Sequence, residues 1–113
     1  ISRWEVLFRK MEHRTGWGHL YKNFFPPFQG IEVFPFFQKY FWKGRLLGKI
    51  EGVPAKKMAK FIKNSPNAYP YTQKYFWSGP NSNTFVQWIL DNFPEIKIKL
   101  PRNAFGKNYK VKI

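Results

Sequence analysis

The sequence predicts an α+β domain, a small antiparallel sheet carrying two main helices. Residues 2–9 alternate between apolar and charged side chains, the period of a half-buried strand. Residues 54–63 and 84–93 place apolar residues at helical spacing and polar ones elsewhere. At 113 residues the chain is long enough for one domain and one core.

In the first segment Trp4, Val6 and Phe8 point one way and Arg3, Glu5 and Arg9 the other. Leu7 interrupts the polar face and implies cover on both sides. Residues 12–19 read as a turn, with Gly16 and Gly18 flanking Trp17. Residues 24–42 are aromatic and broken by proline. Ile31 to Phe34 fits a short strand that Pro35 confines to an edge or an end. The rest of that stretch reads as irregular chain packed by its own rings.

The clearest helix covers 54–63. Pro54 suits its first turn. Ala55, Met58, Ala59 and Ile62 form one face, and Lys56, Lys57, Lys60 and Lys63 the other, with no acid to pair them. A row of lysines is ordinarily a solvated face; an unpaired row also fits contact with phosphate or a lipid headgroup. Asn64-Ser65-Pro66 ends the helix. The second helix, 84–93, buries Phe85, Val86, Ile89, Leu90 and Phe93, and Pro94 stops it. Ile96, Ile98 and Leu100 then alternate with Glu95, Lys97 and Lys99, as in a half-exposed strand or extended segment. From Gly106 the chain reads as an extended basic tail, with Lys107, Lys110 and Lys112 between Tyr109, Val111 and Ile113.

Composition bears on partners. The chain holds 20 basic and 6 acidic residues, a net charge of +14. Nucleic acid, an anionic membrane surface and acidic protein are the ligands such a charge favours. An AT-rich genome, which enriches Lys, Asn, Phe, Ile and Tyr together, is the plainer account. Aromatic residues reach 21 %, with 13 Phe and 5 Trp. That is more ring surface than one small core absorbs, so protein subunits of a larger complex are expected to cover part of it.

Cysteine is absent. Disulfides, thiolate nucleophiles and cysteine metal sites are thereby excluded. The composition is compatible with a reducing compartment or an organelle and assigns neither. Two histidines are too few for a histidine-rich metal site, and no apolar run approaches the ~20 residues of a membrane span. Neither a cofactor nor a metal is expected.

Between the helices lies Gly79-Pro80-Asn81-Ser82-Asn83-Thr84-Phe85, a turn followed by small polar residues that open a helix. Ser82 therefore sits where free backbone N–H groups and the helix dipole favour an anion or a nucleophile. The plainer role is an N-cap, for which Ser and Asn are preferred. Asn81, Asn83 and Thr84 could polarise an oxyanion; capping hydrogen bonds are again the plainer use. A serine nucleophile needs a base and a group to orient it. His13 and His19 are the candidates, and both read as surface or turn residues.

The wider pattern resembles the family catalogued as domain of unknown function 3750. It is carried by Tyr69-Pro70-Tyr71, Tyr75-Phe76-Trp77, Gly79 to Ile89, Phe93-Pro94-Glu95 and the run from Leu100 to Tyr109. Ser2 to Val6 and Leu46-Leu47-Gly48 to Gly52 resemble its earlier segments more weakly. The family is similar, more distantly, to circularly permuted papain-like proteins of the NlpC type. There a His on an early strand precedes an Asn-Cys motif that opens a helix. The resemblance implies a permuted papain-like fragment in which Ser82 stands at the cysteine position. It also implies that the His strand lies upstream of Arg3, so that residues 1–113 form a single domain from the C-terminal part of a longer chain. Members commonly carry an N-terminal hydrophobic segment.

Three functions follow as expectations. The first is a non-catalytic, basic, aromatic-rich structural or binding subunit of a larger assembly, a ribonucleoprotein. It would contact RNA through Lys56, Lys57, Lys60, Lys63, Lys107, Lys110 and Lys112. The second is a serine-dependent papain-like hydrolase or acyl transferase that draws its His from upstream. The third is a membrane-surface module with an upstream anchor. RNA ranks above lipid because the apolar face of the first helix lacks the Trp, Phe or Leu of a membrane-surface helix.

Overall fold

A computed structural model describes residues 2–26, 31–32, 44–45 and 47–109. Strand β1 (Trp4–Val6) pairs antiparallel with β2 (Leu20–Lys22), with Trp4 opposite Lys22 and Val6 opposite Leu20. A 3-10 turn at Met11–His13 lies in the connection. Strands β3 (Ile31–Glu32) and β4 (Gly44–Arg45) form a separate parallel pair. Helices α1 (Val53–Lys63), α2 (Ser65–Ala68) and α3 (Ser82–Asp91) follow. The result is an α+β arrangement in which α3 packs on β1 and α1 packs on both α2 and α3.

The alternation at 2–9 is realised only at its centre. Val6 and Leu20 are buried, while Phe8 is 57 % exposed and lays its ring on His19 at 5.7 Å. The second strand was not legible in the 12–19 turn. It exists because Leu7 N donates to His19 O at 3.0 Å, and because Asn23 closes the pairing by exchanging hydrogen bonds with the Arg3 backbone. The strand expected at Ile31 to Phe34 is described only at its first two residues; the remainder lies outside the described residues.

Among the described residues the core is Val6, Leu20, Tyr69, Phe85, Trp88 and Ile89, half of it aromatic. The rings meet edge-on or tilted, Tyr69 to Phe85 at 5.1 Å and Tyr69 to Trp88 at 5.1 Å, the arrangement that ring quadrupoles favour. Burial pushes the Tyr69 hydroxyl well above the ordinary tyrosine pKa, with Tyr71 and Tyr109 adding to the shift.

Helix α1 is present where its periodicity placed it, one residue longer. No residue of it is fully buried. Its contacting face is Ala55, Met58, Phe61 and Ile62, while Ala59 is exposed. Phe61 takes the place expected for Ala59 because its ring reaches Trp88 at 4.9 Å and Phe93 at 5.4 Å. Asn64 ends α1, and Ser65-Pro66 opens the short α2, with proline in the first turn as its missing N–H allows.

Helix α3 begins two residues before its expected start. Beyond it, Ile96, Ile98 and Leu100 are half-buried between exposed Lys97 and Lys99, so the expected alternation of burial holds, but Glu95 and Ile96 belong to a turn closed by Ile96 N to Phe93 O, and 97–100 pairs with no strand among the described residues. Of the basic tail from Gly106, residues 106–109 are described. They turn back on themselves through Lys107 N to Ala104 O and Tyr109 N to Gly106 O. Lys110 and Lys112 lie outside the described residues.

Part of the ring excess is matched to part of the charge excess. The Arg9 guanidinium lies 5.0 Å from the Phe24 ring and 5.7 Å from Tyr21. Lys22 lies 5.6 Å from Trp4, and Arg3 5.3 Å from Phe25. Such cation–ring contacts stabilise by ~0.5–1 kcal/mol each where exposed.

Candidate functional site

The polar residues that open α3 form a clasp. Asn81, not Ser82, is the N-cap: its Oδ1 accepts from Asn83 N at 3.0 Å and Thr84 N at 3.2 Å. Thr84 Oγ1 in turn accepts from Asn81 N at 3.0 Å, completing a capping box. Asn wins the cap because its amide carries both acceptor and donors, and the site uses both. Asn81 Nδ2 donates to Trp77 O at 2.8 Å and to Phe105 O at 3.0 Å. Asn83 Nδ2 reaches Phe105 O at 2.8 Å, and the Thr84 hydroxyl donates to Gly106 O at 2.7 Å. The helix start, the 76–80 turn and the 104–106 loop are thereby one hydrogen-bonded unit.

Two glycines permit the approach. Gly106 has φ +92°, and a Cβ there would collide with the Asn81 amide. Gly79 has φ +118°, and a Cβ there would lie 2.7 Å from the Cβ of Tyr109. The left-handed region that glycine tolerates is thus required at both ends of the clasp.

Ser82 is the first helical residue and is half-buried. Its hydroxyl has no hydrogen-bond partner among the described residues, so it is the one polar side chain of the motif outside the clasp. The backbone N–H groups of Asn83 and Thr84 are already taken by Asn81, whereas that of Ser82 makes no hydrogen bond among the described residues.

His19 is not a surface residue: it is 1 % exposed. Its Nδ1 accepts from Arg9 N at 3.0 Å, and its backbone N–H donates to Thr72 O at 2.6 Å. The ring packs against Phe8 and Tyr75, which also meet each other. Burial, and then the Arg14 charge, lower its pKa, against a smaller raising effect from the Leu7 backbone. His19 is therefore held neutral as an internal acceptor, and no hydrogen bond joins it to Ser82. His13 is exposed beside Glu12, 3.9 Å away. Among the described residues no three His, Asp or Glu gather as a metal site, and no helix is long and apolar enough to cross a membrane.

The second constellation lies on α1. Lys57, Lys60 and Lys63 line a groove of about 600 Å³ with Asn64, Phe61 and Phe93. Lys56 is exposed on the same helix. None of the four makes an ion pair or lies over a ring among the described residues, unlike Arg3, which pairs with Glu5 at 3.2 Å, and Lys49, which pairs with Glu51 at 3.0 Å. Lys107 is half-buried on the Phe105 loop. It stands apart from the α1 row in the chain and belongs to the turn that the clasp holds.

Sequence reasoning missed the ring floor of this groove. Phe61 stood at helical spacing from Met58, and that was the available signal. It also missed Trp77 and Phe105, which sit on loops far apart in sequence and meet both ring to ring and through Asn81.

The comparisons with curated proteins and with solved structures gave no match. A family comparison did: residues 3–109 match the model described as "Protein of unknown function (DUF3750)", a span that includes both the clasp and the α1 groove, and the chain belongs to that family.

Proposed function

We propose that this domain is a non-catalytic, basic binding subunit of a larger assembly, a ribonucleoprotein, and that its ligand is the phosphate backbone of RNA. The observation that carries the reading is the α1 face: four exposed lysines without an acid, three of them around a groove floored by Phe61 and Phe93. Like charges on successive turns repel. A polyanion relieves that repulsion and gains entropy from the counterions it releases. The clasp supports the non-catalytic part, because Asn81, Asn83 and Thr84 are all engaged in holding loops together. RNA remains ahead of an anionic membrane surface, since Met58, Phe61 and Ile62 of α1 are half-buried against the core and leave less apolar surface for a lipid interface.

The test is affinity for an arbitrary structured RNA across a salt series, with Lys56, Lys57, Lys60 and Lys63 changed together to Gln. The expected result is steep salt dependence in the wild type, with a slope lower by about 3 in the variant, near 0.7–0.9 for each phosphate no longer neutralised. A flat salt response, or an unchanged variant, returns the charge to composition.

A second reading rests on the unpartnered Ser82 hydroxyl at the first residue of α3. In it the domain is a permuted papain-like fragment of the NlpC type, with Ser82 as nucleophile of a hydrolase or acyl transferase and the base supplied from outside the described residues. Stoichiometric labelling of Ser82 by a fluorophosphonate or acyl probe would establish it and overturn the non-catalytic reading.

A further inference from the structure

Among the described residues Trp77 and Phe105 are two of the most exposed rings, at 73 % and 57 %, yet they contact each other. Their centroids are 4.8 Å apart and their planes 32° from parallel. The backbone of each is fixed by the same amide, since Asn81 Nδ2 donates to both Trp77 O and Phe105 O. Asn83 adds a second hold on Phe105. Trp77 itself sits in a tight turn closed by Phe76 N to Pro80 O at 2.8 Å and Gly79 N to Phe76 O at 3.0 Å. The two rings lie against each other at a tilt, so the pair offers the outer face of each, and with both backbones held a base stacking there demands little further ordering of the loops.

The chain around the pair specifies the occupant. Residues 69–90 and 96–109 contain no acid, whereas Arg102 and Lys107 flank Phe105 and Lys74 precedes Trp77. The occupant is therefore flat, apolar on its face and attached to negative charge. Asn103 and Asn108, both exposed, lie on the Phe105 loop, and Ser78 follows Trp77. Burying those amides and that hydroxyl in a lipid interface would strip them of water without replacement. The edge of a nucleobase would hydrogen-bond them instead. We propose that the Trp77–Phe105 pair is a stacking platform for an unpaired base of single-stranded RNA. This inference rests on the RNA reading of the α1 face and adds to it a preference for single strands, which phosphate contacts alone do not confer.

The experiment compares an unstructured single-stranded RNA of about 12 nucleotides with a blunt RNA duplex, whose bases are already stacked and paired. Both are measured by fluorescence anisotropy at one salt concentration. The proteins are the wild type, Trp77→Ala, Trp77→Phe and the α1 lysine-to-Gln variant. Trp77 is on the surface, so its replacement leaves the core intact. Loss of one base–ring stack is expected to weaken single-strand binding about 5- to 100-fold in Trp77→Ala. Duplex binding should stay within about twofold, and Trp77→Phe should keep most of the affinity. The α1 variant is expected to lose affinity for both RNAs. If Trp77→Ala binds single strands like the wild type while the α1 variant still loses salt-dependent binding, the platform is refuted and the RNA reading survives. If no protein binds RNA in a salt-dependent way, both fall. Trp77-dependent binding to vesicles of mixed phosphatidylserine and phosphatidylcholine, with no preference for single strands, would overturn the platform in favour of a membrane contact.

Discussion

Asn81 is the residue on which the clasp and a simple helix cap make opposite forecasts. Asn81→Asp is nearly isosteric. Asp keeps the acceptor for Asn83 N and Thr84 N, and its charge sits at a helix N-terminus, which is worth ~0.3–1 kcal/mol. If Asn81 only capped α3, the change would be neutral or stabilising. In the structure the same side chain is 6 % exposed and donates two hydrogen bonds, to Trp77 O and Phe105 O. Each is worth ~0.5–1.5 kcal/mol net, and a carboxylate in their place faces two carbonyl oxygens across a partly buried gap. Asn83 still satisfies Phe105 O, so the larger injury is at Trp77 O. The balance is a destabilisation of about 1–3 kcal/mol after the dipole gain is set against it. Equilibrium unfolding in urea reads it as a lower midpoint at unchanged slope. Ser82→Ala is the internal comparison: with no partner to lose, it should shift stability by under about 0.5 kcal/mol, where removal of a true cap costs about 1. A neutral or stabilised Asn81→Asp, or a Ser82→Ala that loses as much as a cap, would refute the clasp.

The same geometry supports further expectations. Gly106→Ala combines a disfavoured φ with a collision against the Asn81 amide, so it should cost more than about 1 kcal/mol and be sub-additive with Asn81→Asp in a double-mutant cycle, because both act on one contact. Full additivity would contradict the shared contact. His19 is a base whose folded pKa lies below its ordinary 6.5. The unfolded chain therefore binds the extra proton first, and stability should be complete above that value and fall as the pH drops below it. His19→Asn keeps an acceptor for Arg9 N and should remove that acid-side slope in unfolding curves between about pH 7 and pH 5, whatever it does to stability at neutral pH; a slope that persists would locate the titration elsewhere. The exposed rings Phe76, Trp77 and Phe105 should bind a hydrophobic dye in the isolated domain, and Trp77→Ala should lower that signal. A domain that binds no dye would remove the case for a covering partner.

The two main helices were legible because their signals are local. In α1, Pro54 at the start and apolar residues at i, i+3, i+4 and i+7 specify a helix without any knowledge of its neighbours. In α3 the stripe was legible only in part: Phe85 and Ile89 are buried as expected, but Val86 is exposed and Trp88 joins the core, and the first residue was not legible. Ser and Asn are nearly equal as caps, and the choice of Asn81 depends on two carbonyls, one of them 24 residues away. Strand β2 was hidden because its three residues, Leu20–Lys22, carry no alternation of their own and exist through pairing with β1. The burial of His19 has the same origin. Nothing beside it in the sequence marks it as internal, but Thr72 and Tyr75, far along the chain, close over it. The lysine row was legible as a charge pattern, whereas its groove was not, because Phe93 comes from just beyond the end of α3. The Trp77–Phe105 pair is the extreme case: two loop residues joined by an amide whose cap function is local and whose donor function is not.

The most direct measurement of the central claim is a residue-by-residue titration of the 15N-labelled domain with a structured RNA that carries an unpaired loop. The expected result is amide shifts concentrated on Lys56, Lys57, Lys60, Lys63 and Asn64, together with a shift of the Trp77 indole, while the core residues Val6, Leu20 and Ile89 stay in place. Shifts that bypass α1 and Trp77, or their absence at low salt, would contradict it.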